Sequence, residues 1–383
     1  MNRLILLGNG FDLAHGLKTG YTHFIKWYIA QSIHRCSNDG EYKDGLLEVS
    51  VNDDYRGSAE GNRNFDDILY WVNQSYNESL DLRSIGPVWM GWDGRTPHYP
   101  YIIKSNTSLL DAIVYQCNVH RWVDVEAVFY RTITRLLQGN DNYPDLVESE
   151  LRIINDGMRT IIENLRLYLL SLPAPQLIQS YFKIFSDYVH KDDLESLTSE
   201  LSGDQFKDHA PNRTMVVNFN YTSTFEQYYS ERERNEQRIE LNYLHGTLTD
   251  SSNPIVFGFG DELDRRYEQI EQHPSKGWFE HIKSFWYLRT RNYQNLIRFV
   301  DGEEFQILVL GHSCGLSDRT MLHMLFEHVN CRSLKVYYWG TEEANNYTDT
   351  TFEIARHFKD KALMRKRIVK MPQCERMPQH DDA

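Results

Sequence analysis

Several common signatures are missing from this chain. Its five cysteines, Cys36, Cys117, Cys314, Cys331 and Cys374, form no Cys-x-x-Cys pair, which removes a zinc ribbon. Their odd number and wide spacing suit a reducing cytosol rather than a disulfide framework. No His/Cys cluster has metal-ligand spacing, so no bound metal is expected. The pattern Gly-x-x-x-x-Gly-Lys-Ser/Thr is absent, which removes the P-loop enzymes. No segment reaches roughly 18 uninterrupted apolar residues. The apolar run that opens the chain ends at Gly8, too short for a signal peptide or a membrane span. A cytoplasmic protein without a membrane partner is therefore expected. Positive charge is outnumbered: 41 Lys and Arg stand against 54 Asp and Glu, a formal net charge of -13. A general nucleic-acid binder would show a basic face, so nucleic acid is an unlikely partner. Internal repeats and low-complexity runs are also missing.

What is present begins with the first sixteen residues. Leu4-Ile5-Leu6-Leu7 runs into Gly8-Asn9-Gly10-Phe11-Asp12, and Gly16 follows. A buried strand ending in Gly-x-Gly turns sharply and lets a backbone approach a phosphate closely. The third Gly of the dinucleotide fingerprint is Leu13 here, so the turn reads either as a nucleotide cradle or as a tight strand-to-helix connection.

The pattern then divides the chain. Residues 20–205 read as mainly helical, with helices over 21–32, 65–76, 109–137 (broken near Asn118), 145–172, 176–189 and 192–201. Residues 37–64 and 82–106 read as loops. Beyond 205, strands are expected at 214–217, 238–244, 254–257, 305–310 and 334–339. Helices are expected at 317–328, with Ser317 as cap, and at 349–358. Strands alternating with helices predict a mostly parallel sheet. With 383 residues, about two domains are expected. The simplest reading is one discontinuous α/β domain, 1–20 plus 206–383, around a helical insertion, 21–205. Five or six strands would hold ligands at their carboxyl edge.

Chemistry concentrates where those strands end. Asn218-Phe219-Asn220-Tyr221-Thr222 offers short polar groups for ribose hydroxyls or a water, or a turn with asparagine chemistry. His245-Gly246 places a proton-transfer group at a strand end. Gly311-His312-Ser313-Cys314-Gly315-Leu316-Ser317-Asp318 is a second small-residue turn able to cradle phosphate or ribose. Phe257-Gly258-Phe259-Gly260-Asp261-Glu262 either lines the site or makes a β-turn. Asp124 and Glu126 are two residues apart and do not share a helical face, which argues against a metal pair. The basic run 359–370 reads as a solvated helix or edge strand, or as a surface for phage nucleic acid or an acidic partner.

Together these segments resemble the AbiH proteins, bacterial abortive-infection proteins of anti-phage defence. The resemblance rests on Leu-Leu-Gly-Asn-Gly-Phe-Asp-Leu-Ala-His-Gly-Leu from Leu6, Trp-x-Asp-x-Glu at Trp122, Asn-Phe-Asn-Tyr-Thr, Leu-His-Gly and Phe-Gly-x-Gly-Asp-Glu. More distantly, the chain resembles the sirtuin-like NAD-binding domain, a Rossmann-like α/β fold. Gly8-Asn9-Gly10-Phe11-Asp12 followed by Gly16-Leu17 fits the sirtuin Gly-Ala-Gly frame, with Asp12 in place of Ser. Asn218 to Thr222 fits Thr-x-Asn-x-Asp, with Thr222 in place of Asp. His245-Gly246 and Gly311-His312-Ser313 fit the His-Gly and the late Gly-x-Ser. The cysteine quartet of protein-deacylating sirtuins is missing, which favours NAD hydrolysis over deacylation.

The resemblance implies NAD as a substrate, cleaved at the nicotinamide–ribose bond. Asn220 would orient ribose and water, His245 would act as base, and Asp12 would stabilise the oxocarbenium ion. Gly8, Asn9, Gly10, Phe11, Asn218, Thr222, Gly311, His312 and Ser313 would line the nucleotide. The alternative is a non-catalytic nucleotide or ADP-ribose sensor, or an assembly module, with a phage trigger, a homo-oligomer or a defence partner. A nuclease-like toxin using Asp124, Glu126 or Asp261 ranks last.

Overall fold

The apolar run Leu4 to Leu7 forms the heart of the first strand, β1 (Asn2–Leu7). The structure, a computed structural model, describes all residues except 57–63, 79, 121–123, 140–143, 195–206 and 381–383. Four more strands join β1 in one sheet: β2 (Thr214–Asn218), β3 (Ile239–Tyr243), β4 (Phe305–Leu310) and β5 (Cys331–Tyr337). They lie in the order β5-β4-β1-β2-β3, and every pairing is parallel.

A parallel sheet is covered on both faces, so its central strands are apolar at every position instead of alternating. Leu4, Ile5, Leu6 and Leu7 are each 0 % exposed. Leu4 and Leu6 face one core with Val217, Ile307 and Val309, while Ile5 and Leu7 face the other with Val216 and Leu308. Burying each such side chain contributes about 1.5–3 kcal/mol. The first core is closed by the helices Asn292–Gly302, Arg319–Glu327 and Tyr347–His357 through Phe299, Leu322 and Ile354. The second is closed by the short helices Asn9–Ala14 and Ser180–Ser186 through Phe11, Tyr181 and Phe185.

The expected α/β architecture is present: among the described residues this sheet has five strands, all parallel. The order 3-2-1-4-5 is that of Rossmann sheets, in which ligands sit beyond the carboxyl ends of the strands where the order reverses. In this sheet the reversal lies between β1 and β4.

By compactness the chain divides into two units. One holds Met1–Thr19, Leu172–Glu268 and Ile282–Ala383, and the other holds Gly20–Ser171 and Gln269–His281. The return to the sheet, expected at 206, therefore comes at Leu172, because Tyr181, Ile184 and Phe185 pack under the sheet. Residues 269–281 join the helical unit instead: Asn155 donates to the Gly277 carbonyl (2.9 Å) and Arg159 pairs with Glu280 (2.6 Å).

The second unit is not wholly helical. Glu41–Lys43, Leu47–Val51 and Tyr101–Ser105 form an antiparallel sheet inside segments expected to be loops. Its buried positions alternate (Leu47, Val49, Tyr101, Ile103), but the strands are too short for that pattern to stand out among polar residues. Of the helix expected over 192–201, only a 3-10 turn, Lys191–Leu194, is described; the rest lies outside the described residues, as does Trp122. Among the described residues no helix is long and apolar enough to cross a membrane.

Candidate functional site

Four of the sequence motifs, those at Gly8, Asn218, His245 and Gly311, lie where a strand of the sheet ends. Register places Leu7 of β1 beside Leu310 of β4 and Asn218 of β2, so the Gly8 and Gly311 turns emerge side by side. Their backbones nearly touch. A Cβ on Gly8 would lie 2.4 Å from the His312 Cα, and one on Gly311 (φ +68°) would lie 2.2 Å from the Phe11 nitrogen. This contact accounts for the glycines independently of any ligand. It also uses donors that a phosphate would need: Gly10 N–H donates to the Gly311 carbonyl (2.8 Å), and Phe11 N–H donates to the Gly8 carbonyl (2.9 Å). Phe11 itself turns into the core, edge-on to Tyr181 with ring centres 4.9 Å apart. Asn9 and Ser313 are exposed.

A carboxyl group lies directly above this turn. Asp12 is 1 % exposed. Thr222 donates to its Oδ2 (2.6 Å), while its buried Oδ1 has no hydrogen-bond partner. Burial raises the Asp12 pKa to about 6, against the pull of the Thr222 and Thr224 hydroxyls and the Asn220 amide. Asn220 bridges β1 and β2 by donating to the Gly8 carbonyl (3.0 Å). Asn218 shapes the turn by accepting from the Asn220 N–H (2.9 Å).

On the other side of Phe219 lies a second cluster. Asp318 Oδ1 accepts from the Lys283 ammonium at 2.8 Å and lies 3.1 Å from His245 Nε2, and Asp318 Oδ2 is 3.8 Å from His312 Nε2. Lys283 is 0 % exposed, and Asp318, His245 and His312 are also buried. Phe219 packs edge-on to both imidazoles, at 5.0 and 4.1 Å. Burial alone would raise the Asp318 carboxyl, but Lys283 and then His245 hold it well below the usual range. Burial lowers His245, Lys283 adds to this, and Asp318 opposes it. Burial lowers His312 to about 4. Its Nδ1 accepts from the Cys314 N–H (2.9 Å), which puts the ring proton of neutral His312 on Nε2, facing Asp318. The cluster is thus a buried ion pair flanked by two neutral imidazoles.

The His245 ring is held on both sides. Its Nε2 also meets the Tyr287 hydroxyl (3.2 Å), and a backbone hydrogen bond with Phe219 holds it as well. Gly246 (φ +83°) leaves room for the Asn253–Pro254 crossing, since a Cβ there would lie 2.1 Å from the Pro254 carbonyl oxygen.

The sequence carries no local signal for Lys283, Tyr287 or the role of Asp318. Asp318 belongs to the Gly311–Asp318 turn, where the pattern places Ser317 as the cap of a helix over 317–328. The helix instead begins at Arg319 after a 3-10 turn, Leu316–Asp318. Residues 254–257 form no strand. The following loop makes a single bridge, Phe259 to Ile282, and Lys283 N–H donates to the Phe259 carbonyl (3.0 Å) while Gly260 N–H donates to that of Ser317 (2.9 Å). The Phe-Gly-Phe-Gly segment therefore clamps the two halves of the buried ion pair. Cys314, between His312 and that pair, is left-handed at φ +52°, a conformation that non-glycine residues hold at some cost.

The remaining carboxylates are otherwise engaged. Asp261 pairs with Arg319 (3.2 Å), and Asp124 caps its helix by accepting from the Ala127 N–H (3.0 Å). Among the described residues no three His, Cys, Asp or Glu side chains gather to hold a metal. The basic run forms a helix, Lys361–Arg367, capped by Asp360 and largely solvated.

The sequence model of a family described as bacteriophage abortive infection AbiH matches residues 4–339. No curated protein and no solved structure matches the chain. The matched span runs from β1 through β5 and takes in every strand-end segment of the site; the chain belongs to the AbiH family of bacteriophage abortive infection proteins.

Proposed function

We propose that the chain serves abortive infection by consuming a nucleotide at the strand-end site, with NAD as the substrate that the sirtuin-like resemblance implies. The observation that carries this reading is the buried Asp12 carboxyl. One of its oxygens has no partner, and it sits beside Asn220 at the carboxyl edge of a Rossmann-order sheet. Cleavage of the nicotinamide–ribose bond releases a neutral leaving group from a cationic one, so it needs little acid catalysis. It needs a negative charge near the developing oxocarbenium ion, and a carboxylate held in place for that purpose is worth more in a dry site than in water. Asn220 would orient the ribose. His245 would act as base after exchanging the Tyr287 hydroxyl for one of the substrate's.

A specific observation favours a second reading, binding without turnover. His245 is bonded on both sides, and the Gly10 and Phe11 N–H groups are already used. Purified wild type, His245→Ala and Asn220→Ala separate the two. Turnover predicts nicotinamide release that falls by about 10²–10⁴ in His245→Ala. Calorimetric binding of NAD or ADP-ribose without nicotinamide release selects the sensor. Absence of both binding and release removes both readings.

A further inference from the structure

In the second unit, helix Ser108–His120 packs against helix Val125–Gly139. Where they face each other their side chains are short: Ser108 and Ala112 on one, Val128 and Thr132 on the other. These do not fill the space between the backbones, and a cleft of about 460 Å³ remains, within the range of small-molecule sites. Arg131 and Arg135 line it. They are one helical turn apart, so they share a face and repel each other. Both are exposed, and neither has a carboxylate at ion-pair distance among the described residues. Other arginines of the same unit do find partners: Arg152 with Glu148, and Arg159 with Asp156 and Glu280. Glu150 stands at one end of the cleft, where its carboxylate accepts from the Ser108 hydroxyl (2.8 Å) and leaves both guanidinium groups alone.

We propose that this cleft binds a nucleotide through its phosphate. Two guanidinium forks on one face match the oxygens of a single phosphate, which would also remove their mutual repulsion. Tyr115, 63 % exposed at the rim, offers a ring on which a base can stack. Gln116 and Thr132 add hydrogen-bonding groups beside it. The small volume and the net charge of -13 favour a mononucleotide over a nucleic-acid strand, which needs a longer basic track.

The test is calorimetric titration of the full-length protein with AMP, adenosine, inorganic phosphate and a short oligothymidylate. AMP should bind, and adenosine much more weakly. Arg131→Gln/Arg135→Gln should weaken AMP by roughly tenfold or more per arginine without lowering the melting temperature, since both residues are exposed and their mutual repulsion is relieved. Tyr115→Ala should weaken AMP but leave phosphate unchanged. Asn220→Ala, at the sheet edge, should leave this binding intact. No AMP binding, or AMP binding insensitive to the arginine pair, overturns the proposal. AMP binding lost only in Asn220→Ala also overturns it, by assigning the ligand to the sheet site. Oligothymidylate that outcompetes AMP and depends on the arginines would make the cleft a single-strand surface instead.

Discussion

Asp12 ties the site to pH through its own burial. Its folded-state pKa of about 6 lies above the ordinary 3.8, so the native state binds that proton more tightly than the unfolded chain does. The resulting stabilisation is complete below about pH 4 and is lost as pH rises through about 6. Asp12→Asn stays neutral throughout. Its stability relative to wild type should therefore improve by roughly 2–3 kcal/mol between pH 4 and pH 7, as read by urea unfolding at both. A difference that does not change with pH would show that Asp12 titrates normally. The Lys283–Asp318 pair makes a different prediction. Removing one buried partner leaves an uncompensated charge, so Lys283→Met or Asp318→Asn should each cost about 3–5 kcal/mol. Lys283→Met with Asp318→Leu should recover much of that loss, because apolar replacements of a buried pair are often neutral. If the double variant is stable and still protects cells from phage, the pair serves folding alone; if it is stable and inactive, the pair serves the site.

The turns between elements carry the tightest constraints. Gly311→Ala must place a side chain at positive φ against the Phe11 nitrogen, and strain plus overpacking together predict a loss of about 2–6 kcal/mol. Gly302 ends its helix with open space around it, so Gly302→Ala should instead gain about 0.5–1 kcal/mol. Thermal melts of the two variants should move in opposite directions. The same elements explain what the sequence revealed and what it hid. All five strands of the parallel sheet are legible: β1, β2 and β4 as continuous apolar runs that end at Gly or Asn, β3 and β5 as mixed runs around Ile239 to Leu244 and Leu334 to Trp339. His312 is legible as a polar residue just after such a run, and His245 as one after the mixed run of β3 and before Gly246. Lys283 is not, because a buried lysine has no local signature. It lies in Phe-Glu-His-Ile-Lys-Ser, an unremarkable amphipathic stretch, and only the fold brings it to Asp318. The antiparallel strands of the second unit have the opposite character, since each shows at most two buried positions among polar neighbours.

At the scale of the whole molecule, the chain is wound around its own beginning. β1 pairs on one side with β2 and on the other with β4, both encoded far downstream. Removal of residues 1–8 would take out the strand on which both halves of the sheet depend. The expected outcome is loss of cooperative unfolding by circular dichroism. Contacts between such distant segments also make folding slow. Synthesis proceeds at about 5–20 residues per second, so Leu4 to Leu7 wait on the order of tens of seconds before Phe305 to Leu310 have been made. Throughout that interval Gly8 has no Gly311 beside it, His245 has no Asp318, and Asp12 stands at the edge of a sheet that does not yet exist. A ribosome that stops early releases a fragment without the site. Truncated chains therefore carry none of the chemistry proposed for that site.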